Sequence, residues 1–192
     1  MEPSDAELMD RIKATGDRAA FGCLVDRYKH PIVNYLTRLS GDRDRAEDLA
    51  QDTFLRLYQK RHLYRENGYL KPYIYRIATN LLRTQERTER RRRVLLLDFF
   101  HGAGEEHDGP SPQTAVLADE RRQMLSRAVG ELPLKFREPL VLYEVEGWTY
   151  GDIARHLGCR EGTIKSRISR GKQRLRARLQ PYRNGEAPWV TT

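Results

Sequence analysis

One segment, residues 147–179, constrains the fold of this chain more than any other part of it. Thr149 can cap a helix, and Asp152 stands where a side chain reaches back to complete the cap. Gly158 follows at a point where a tight turn needs a residue that tolerates positive φ. A second helical pattern then begins, and the inward positions of the two patterns are Ile153, Ala154, Leu157, Ile164, Ile168, Leu175 and Leu179. Two helices joined by a short glycine-containing turn predict a helix-turn-helix.

The second of these helices carries side chains that a DNA duplex could contact. Residues near its start lie where recognition helices reach base edges, and arginine can bind guanine while glutamate can accept from cytosine. Cations further along suit phosphates, which add affinity without sequence choice. A basic amphipathic helix that only keeps the chain soluble would not need the preceding helix and turn. The candidate DNA contacts are Arg160, Glu161, Thr163, Lys165, Ser166, Arg167, Arg170, Lys172 and Arg174.

Positive charge is concentrated in two separate blocks. The whole chain has 35 Lys and Arg against 27 Asp and Glu, a formal net charge of +8. Residues 61–93 hold ten basic against three acidic residues, and residues 160–192 hold nine against two. Residues 94–159, between the blocks, hold six basic against eleven acidic residues. Two basic blocks, each at the end of a helical pattern, indicate two contacts with DNA joined by an acidic spacer.

Helical patterns also fill the start of the chain. Ser4 and Glu7 form a capping-box signature for a short helix. A longer apolar pattern follows from Asp17, with steps of three and four residues. Pro31 lies within this pattern and predicts a kink or a break, and Gly41 predicts its end.

Two further helices are expected before residue 93. Asp42 or Asp44 can cap the first, which should run to about Lys60. Residues 61–70 read as a loop because they contain an Asn-Gly pair. Pro72 suits the first turn of the next helix. No strand-like alternation appears, so an all-α fold is predicted.

The chain divides in its middle. Residues 94–113 lack clear periodicity and are rich in Gly, Pro and acidic side chains towards their end, which argues against one compact domain. We therefore predict two small helical domains, residues 1–93 and 114–180, joined by a flexible linker and followed by a flexible tail, residues 181–192. The apolar run at residues 94–100 either continues the preceding helix or packs on the first domain or on a partner.

The sequence offers no constellation for catalysis or for a metal ion. Cys23 and Cys159 are far apart and lie in helical patterns, so reduced, buried thiols and no zinc site are expected. The histidines are scattered, and no nucleophile–base pair or phosphate loop is visible. No signal pattern is present at the start, and no apolar run approaches the roughly 18 residues of a membrane span. We expect a cytoplasmic protein that is not an enzyme, with no cofactor, no metal and no membrane insertion.

Three stretches carry a family resemblance. The segment GWTYGDIARHLGCREGTIKSRISRGKQRLRARL, residues 147–179, resembles the promoter −35-binding domain of bacterial sigma factors. DRAEDLAQDTFLRLYQ, residues 44–59, and LKPYIYRIATNLL, residues 70–82, resemble the sigma domain that binds the −10 element. With these two domains in this order and separation, the chain resembles sigma-70 family members of the extracytoplasmic-function (ECF) group. The resemblance covers nearly everything except the linker and the tail.

The resemblance implies a dissociable subunit that binds core RNA polymerase and directs promoter-specific initiation. One helix would bind the clamp helices of the polymerase largest subunit, and an acidic, amide-bearing face beside apolar anchors suits a basic partner helix. An anti-sigma factor that masks polymerase-binding surfaces is also implied. The implied polymerase contacts are Asp48, Leu49, Gln51, Asp52 and Phe54.

The resemblance also assigns promoter recognition. The helix-turn-helix would read the −35 element, and the helix from Lys71 with the loop before it would engage the −10 element. Sigma factors hold the −10 element open as single-stranded DNA, and flipped bases need aromatic faces, hydrogen-bonding side chains and cations. Tyr73 could equally be a core residue. The implied −10 contacts are Tyr64, Arg65, Asn67, Tyr69, Lys71, Tyr73, Tyr75, Arg76, Asn80 and Arg83.

Two other classes of protein remain open at this point. A stand-alone helix-turn-helix regulator would share the C-terminal fold, but it would need neither the acidic face at residues 48–52 nor the aromatic–basic helix at residues 71–83. A nuclease would need clustered carboxylates for metal ions, and Glu47, Asp48 and Asp52 are the only candidates.

Overall fold

The structure, a computed structural model, describes residues 2–65, 69–99 and 118–183. Within these ranges every regular element is helical and no strand occurs, which confirms the all-α prediction. The α-helices are α1 (Asp5–Thr15), α2 (Arg18–Ser40), α3 (Arg43–Gln59), α4 (Leu70–Phe99), α5 (Ala118–Gly130), α6 (Leu134–Glu144), α7 (Tyr150–Leu157) and α8 (Glu161–Arg183), with a short 3-10 helix at Arg61–Leu63.

Local capping chemistry starts and stops the first helices as the sequence predicts. The Ser4 backbone N–H donates to Glu7 Oε2 at 2.7 Å, and the Glu7 N–H donates to Ser4 Oγ at 3.3 Å, which completes the capping box of α1. The side chain of Asp17 caps α2, and that of Asp42 caps α3. Gly41 ends α2 with a φ of 79°, a left-handed conformation that glycine adopts without strain.

Helix α2 runs without interruption through Pro31, so of the two expectations at this residue the break is wrong and the kink stays a prediction. A proline removes one backbone donor from a helix and strains the preceding turn. Here the helix also buries Leu24 before the proline and Ile32 and Leu36 after it, and all three are 0% exposed. The free energy gained by burying this apolar face before and after the proline outweighs the loss of one backbone hydrogen bond and the strain in the preceding turn.

The N-terminal lobe, α1 to α4, packs its helices around an apolar core. Helix α2 lies against α1, α3 and α4. The Tyr35 hydroxyl is 2.9 Å from Thr79 Oγ1, which satisfies two buried polar groups, and the rings of Tyr35 and Tyr75 lie 4.7 Å apart. This core holds α4 at a fixed position against α2.

The C-terminal lobe, α5 to α8, packs α6 and α7 against α8. Ile153, Ile164 and Ile168 are buried as predicted. Leu125 and Val145, which also fit the apolar pattern, are instead 47% and 49% exposed. Periodicity places a residue on a helical face, but it does not say how far the neighbouring helix covers that face.

The two lobes touch each other in the described part of the chain. Arg137 of α6 is buried at the boundary, where its guanidinium donates to the Leu39 carbonyl at the end of α2 and lies 3.7 Å from Glu86 Oε1 of α4. Burial lowers the pKa of Arg137 below its ordinary value, and the Glu86 carboxylate opposes that change.

Helix α4 continues to Phe99, past the predicted domain boundary at residue 93. The run at residues 94–99 is therefore helical, which favours the reading that it continues the preceding helix. Residue 100 and the rest of the predicted linker to residue 113 lie outside the described residues. The division into domains at residues 1–93, 94–113 and 114–180 remains a prediction.

The prediction that both cysteines are buried is wrong, although both thiols are free. Cys23 is exposed on α2, and Cys159 is half-buried in the turn before α8. Cys23 precedes the buried Leu24, and a helical pattern alone did not show that two neighbouring residues face opposite environments.

Candidate nucleic-acid interface

Helices α7 and α8 form the helix-turn-helix. Thr149 Oγ1 accepts the Asp152 N–H at 3.1 Å and lies 2.6 Å from Asp152 Oδ2, to which its hydroxyl donates. This hydroxyl holds the pKa of Asp152 below its ordinary value. Gly158 ends α7 with a φ of 64°, as the turn requires. The cap and the turn together set the direction in which α8 leaves.

The predicted contacts on α8 face outwards. The apolar side of this helix, at Ile164 and Ile168, is buried against α6 and α7, so the opposite side is left to solvent. Thr163, Arg167 and Lys172 are half-buried. The exposed members of the set are Arg160, Glu161, Lys165, Ser166, Arg170 and Arg174. We call the full set of nine residues the recognition face.

Three cations of the recognition face already have partners in their own lobe, and the first is Lys165, whose Nζ lies 5.5 Å from the centre of the Tyr150 ring. Lys172 Nζ lies 2.6 Å from Glu144 Oε1, and Arg174 lies over the ring of Phe136 at 5.0 Å. These contacts are partly open to water and therefore weak. A DNA phosphate can displace Glu144 from Lys172 at little cost.

A second basic surface lies on α4. Arg76, Asn80 and Arg83 share one side of the helix because they are four and three residues apart, and all three are exposed. Lys71 is exposed at the start of α4, and Tyr69 just before it is 44% exposed. We call these five residues the basic–aromatic face. They combine the cations, amide and aromatic ring that a single DNA strand requires.

The other predicted −10 tyrosines are less accessible. Tyr64 is 4% exposed and its ring lies 5.2 Å from that of half-buried Tyr73. Tyr75 is 0% exposed, and its hydroxyl donates to Glu146 Oε2 at 2.6 Å. Burial and this carboxylate raise the pKa of Tyr75 above its ordinary value, so the phenol stays protonated and donates. Arg65 is exposed, two residues after the 3-10 helix.

Asn67, the remaining residue assigned to this group, lies outside the described residues.

The α3 surface differs from the prediction in its apolar part. Asp48, Gln51 and Asp52 are exposed as expected, but Leu49 and Phe54 are only 5% and 6% exposed. These two side chains belong to the core of the N-terminal lobe and do not lie on its outer face.

Sequence reasoning missed the apolar residue that does lie on this surface. Leu55 is 54% exposed and follows Asp48, Gln51 and Asp52 at seven, four and three residues, so all four share one side of α3. We call them the α3 face. Its spacing of three, four and seven residues from the polar members of this face was the signal that could have identified Leu55. A leucine within an amphipathic pattern is, however, normally assigned to the core.

The described residues contain no grouping of three or more His, Cys, Asp and Glu side chains that could hold a metal ion. None of the described helices is both long and apolar enough to cross a membrane.

A helix-turn-helix with outward cations, combined with a separate basic–aromatic surface, defines a two-lobed transcription protein of the DNA-binding class. Two family models match the chain in the same order: sigma-70 region 2 over residues 24–92 and sigma-70, region 4 over residues 122–175. The chain belongs to the sigma-70 family, in its ECF group, and is therefore a transcription initiation factor.

Full-length relatives agree with this assignment. The RNA polymerase sigma-H factor of Pseudomonas aeruginosa is 32% identical over 186 residues, which are 94% of this chain and 96% of that protein. The ECF RNA polymerase sigma-E factor of Escherichia coli strain K12 is 29% identical, over 93% of this chain and 95% of that protein.

Solved structures extend the likeness to the fold. The sigma factor RpoE of Bartonella quintana, in complex with the anti-sigma factor NepR, is 30% identical with a TM-score of 0.67 and covers 83% of this chain and 96% of its own. CnrH, in complex with the cytosolic domain of CnrY, is 22% identical with a TM-score of 0.65, covers 90% of this chain and 95% of its own, and supports the fold alone.

Proposed function

We propose that this chain binds core RNA polymerase and directs initiation at promoters that carry matching −10 and −35 elements. The observation that carries this proposal is the presence of two exposed cationic surfaces on separate lobes, the recognition face on α8 and the basic–aromatic face on α4. The protein contributes binding and positioning and performs no covalent chemistry. It works where polymerase and chromosome are, in the cytoplasm.

The recognition face reads the −35 element in the major groove. Helix α8 begins at Glu161 with its first turns exposed, and recognition helices contact base edges with these residues. Arg167 is half-buried and precedes buried Ile168, so it lies at the edge of the exposed side of α8, from which its long side chain can extend towards the groove. Arg170 and Arg174, one and two turns further on, suit the phosphate backbone.

The basic–aromatic face holds one strand of the melted −10 element. Arg76 and Arg83 supply cations for phosphates, Asn80 supplies an amide that can donate and accept, and Tyr69 supplies a stacking surface. Both lobes must act together, because phosphate contacts alone carry little sequence information.

The α3 face binds polymerase. Two exposed carboxylates, Asp48 and Asp52, flank the Gln51 amide, and Leu55 supplies an apolar anchor among them. An exposed leucine surrounded by acidic groups suits a basic, amphipathic helix, such as one of the polymerase clamp.

An anti-sigma factor is a further expected partner. Support comes from RpoE of Bartonella quintana, which is 30% identical to this chain and was solved with its anti-sigma factor NepR. Such a partner would compete with polymerase for the exposed surfaces of the two lobes.

Reconstituted transcription tests the central proposal. Purified protein is added to core polymerase with sheared DNA from the source genome, and transcript start sites are mapped. The expected result is a limited set of start sites that share two spaced sequence elements. A preparation that associates with core polymerase but yields no specific starts contradicts the proposal. Specific duplex binding without any association with core polymerase supports the stand-alone regulator instead.

A point substitution distinguishes a contact with a base edge from a contact with a phosphate. We expect Arg167→Ala to weaken binding of the holoenzyme to its mapped promoters by about 1–3 kcal/mol more than binding to random DNA. Arg127→Ala is the matched control, because Arg127 is exposed on α5 of the same lobe and lies off α8. Equal losses on promoter and random DNA for Arg167→Ala make this residue a phosphate contact.

A further inference from the structure

An open groove on the C-terminal lobe lies between α5, α6 and the C-terminal half of α8. Its volume is about 590 Å³, and its apolar lining includes Leu125 and Val145, which are 47% and 49% exposed. Among the described residues only five large apolar side chains are strongly exposed, and two of them meet in this groove. An exposed apolar surface of this kind marks a place where another group binds. We call it the α5–α8 groove and define it by Leu125, Val129, Leu140, Val145 and Leu175.

Polar groups at the rim of the groove suit an indole ring. Arg38 of α2 and Lys172 of α8 line it, and Lys172 Nζ lies 2.6 Å from Glu144 Oε1. Cations are attracted to the face of an aromatic ring, and most strongly to that of tryptophan. The Glu144 side chain is 44% exposed, so its carboxylate can also accept the hydrogen bond that a buried indole N–H needs. The groove thus combines an apolar lining with the polar partners of a tryptophan.

The chain has a tryptophan close to this groove in sequence. Helix α8 ends at Arg183, and the residues that follow, 184–192 or NGEAPWVTT, lie outside the described residues. We call residues 184–192 the C-terminal segment. Its first two residues form an Asn-Gly pair, which favours a tight turn, and an apolar run follows at residues 187–190. A turn at this pair would direct the apolar run back along α8.

The lengths of the helix and of the segment match. Leu175 lies eight residues before Arg183, which is about 12 Å along the axis of an α-helix. After the Asn-Gly pair, the four residues from 186 to Trp189 span about 13 Å when extended. A segment that reverses direction at the pair therefore brings Trp189 level with Leu175. Leu179, one turn further along the same side of α8, is half-buried and offers apolar surface on the way.

The segment and the helix carry opposite charge. From Lys172 to Arg183, α8 has five basic and no acidic side chains. The C-terminal segment has one acidic side chain, Glu186, and no basic one. Complementary charge favours this pairing over a random path of the segment. The segment is also tethered a few turns from the groove, so its effective concentration there exceeds that of a second copy of the chain.

We propose that residues 186–190 fold back along α8 and seat Trp189 in the α5–α8 groove. The seated ring covers the exposed parts of Leu125 and Val145, and Lys172 and Glu144 lie at its edge. This contact goes beyond the proposed function and does not depend on it, because the groove and the segment belong to the C-terminal lobe whatever the chain binds.

A seated segment makes access to the groove conditional. A protein partner that inserts an apolar side chain here must first displace Trp189. If nine tenths of the chain has the segment seated, the apparent Kd of such a partner is about tenfold weaker than for a chain without the segment. By linkage, the partner must in turn shift the segment towards its free form.

Acrylamide quenching of tryptophan fluorescence measures whether Trp189 is seated. The full chain has two tryptophans, and Trp148 is only 7% exposed, so a free Trp189 would dominate the quenching. Trp189→Phe gives the slope of the quenching plot for Trp148 alone. A synthetic peptide of residues 184–192 gives the slope for a free segment. The difference between the full chain and Trp189→Phe is the contribution of Trp189.

Two substitutions change the walls of the groove at exposed positions. Leu125→Gln and Val145→Gln each replace an apolar side chain by an amide, and neither side chain belongs to the core of the lobe. Leu63→Gln is the matched control, because Leu63 is 60% exposed in the N-terminal lobe and lies outside the groove. Circular dichroism verifies that each variant folds.

We expect the Trp189 slope in the unsubstituted chain to be about tenfold below that of the peptide when nine tenths of the segment is seated. It should rise towards the peptide value in Leu125→Gln and in Val145→Gln, and Leu63→Gln should leave it unchanged. A Trp189 slope equal to that of the peptide overturns the proposal and leaves the groove open to a partner protein. Shielding that neither groove variant relieves places Trp189 elsewhere and overturns it too. Shielding that disappears on dilution assigns the groove to the segment of a second copy, which also overturns the proposal.

Discussion

Thr149 controls the entry to the helix-turn-helix through one hydroxyl. It accepts the Asp152 N–H and donates to the Asp152 carboxylate, so it satisfies a backbone group that the start of α7 leaves unpaired. We expect Thr149→Ala to lower the free energy of unfolding by about 1 kcal/mol, measured by urea titration with circular dichroism. Thr88→Ala is the control, because that hydroxyl donates to the Thr84 carbonyl at an exposed position of α4 and caps no helix end. Equal effects of the two substitutions would rule out a capping role.

Leu55 offers a second prediction at the level of a single side chain. Leu55→Ala should leave the unfolding free energy within about 0.5 kcal/mol, because the side chain is 54% exposed. It should weaken binding to core polymerase by about 1–2 kcal/mol, since an anchor buried at an interface is lost. Competition binding against labelled chain measures this loss. Leu63→Ala, at a leucine that is 60% exposed outside the α3 face, should have no such effect. Equal weakening by both would remove Leu55 from the interface.

The α3 face shows which exposed side chains could be predicted from the sequence and which could not. Asp48 and Asp52 were predicted correctly to be exposed, because charged side chains are rarely buried. Leu49 and Phe54 were assigned to the same surface and are core residues, whereas Leu55 was not considered and is exposed. An amphipathic pattern assigns every leucine to the buried side, so an exposed anchor has no signature of its own.

Helix α8 depends on a close approach to α6 at one glycine. A Cβ added at Gly171 would lie 3.4 Å from the Phe136 carbonyl oxygen and 3.7 Å from Leu140 Cδ2, so a Cβ alone is already in van der Waals contact and the two methyl groups that valine adds would press on α6. We expect Gly171→Val to destabilise the chain by about 1–3 kcal/mol in urea unfolding. Gly162→Val is the matched control in the same helix, because an added Cβ there meets nothing within 4 Å. If both substitutions cost the same, helix propensity and not packing sets the loss.

The residues at which helices start and end were largely predictable from the sequence. Whether a helix continues through an internal proline was not. The caps at Ser4, Asp42 and Thr149 are decided by neighbours within three residues, so local sequence contains the whole cause. The uninterrupted course of α2 through Pro31 is decided by the burial of its apolar face against other helices. Such a tertiary contribution overrides a local breaker, and no local pattern reports it.

At the scale of the whole molecule, the sequence predicted two lobes but not their contact. Trp148 packs on Tyr75 across the contact, but the hydrogen bonds that join the lobes come from polar groups far apart in the chain: Tyr75 and Glu146 are separated by 71 residues, and Arg83 and Glu138 by 55. Periodicity in the sequence identifies apolar helix faces. Hydrogen bonds between hydroxyl, carboxylate and guanidinium groups produce no periodic pattern, so they could not be predicted in this way. Glu138 illustrates the difficulty, since a glutamate in a helix is expected in solvent and here is 1% exposed.

The Tyr75–Glu146 hydrogen bond measures how strongly the lobes are coupled. In a double-mutant cycle of Tyr75→Phe and Glu146→Gln, we expect an interaction energy of about 1–2 kcal/mol in urea unfolding, because a buried hydroxyl donates to a charged acceptor. Tyr58→Phe replaces Tyr75→Phe in the control cycle. The Tyr58 hydroxyl donates to the Gly16 carbonyl within the N-terminal lobe, so its effect should add to that of Glu146→Gln within about 0.5 kcal/mol. If the Tyr75 cycle is additive to the same limit, this hydrogen bond contributes no measurable stability to the contact between the lobes.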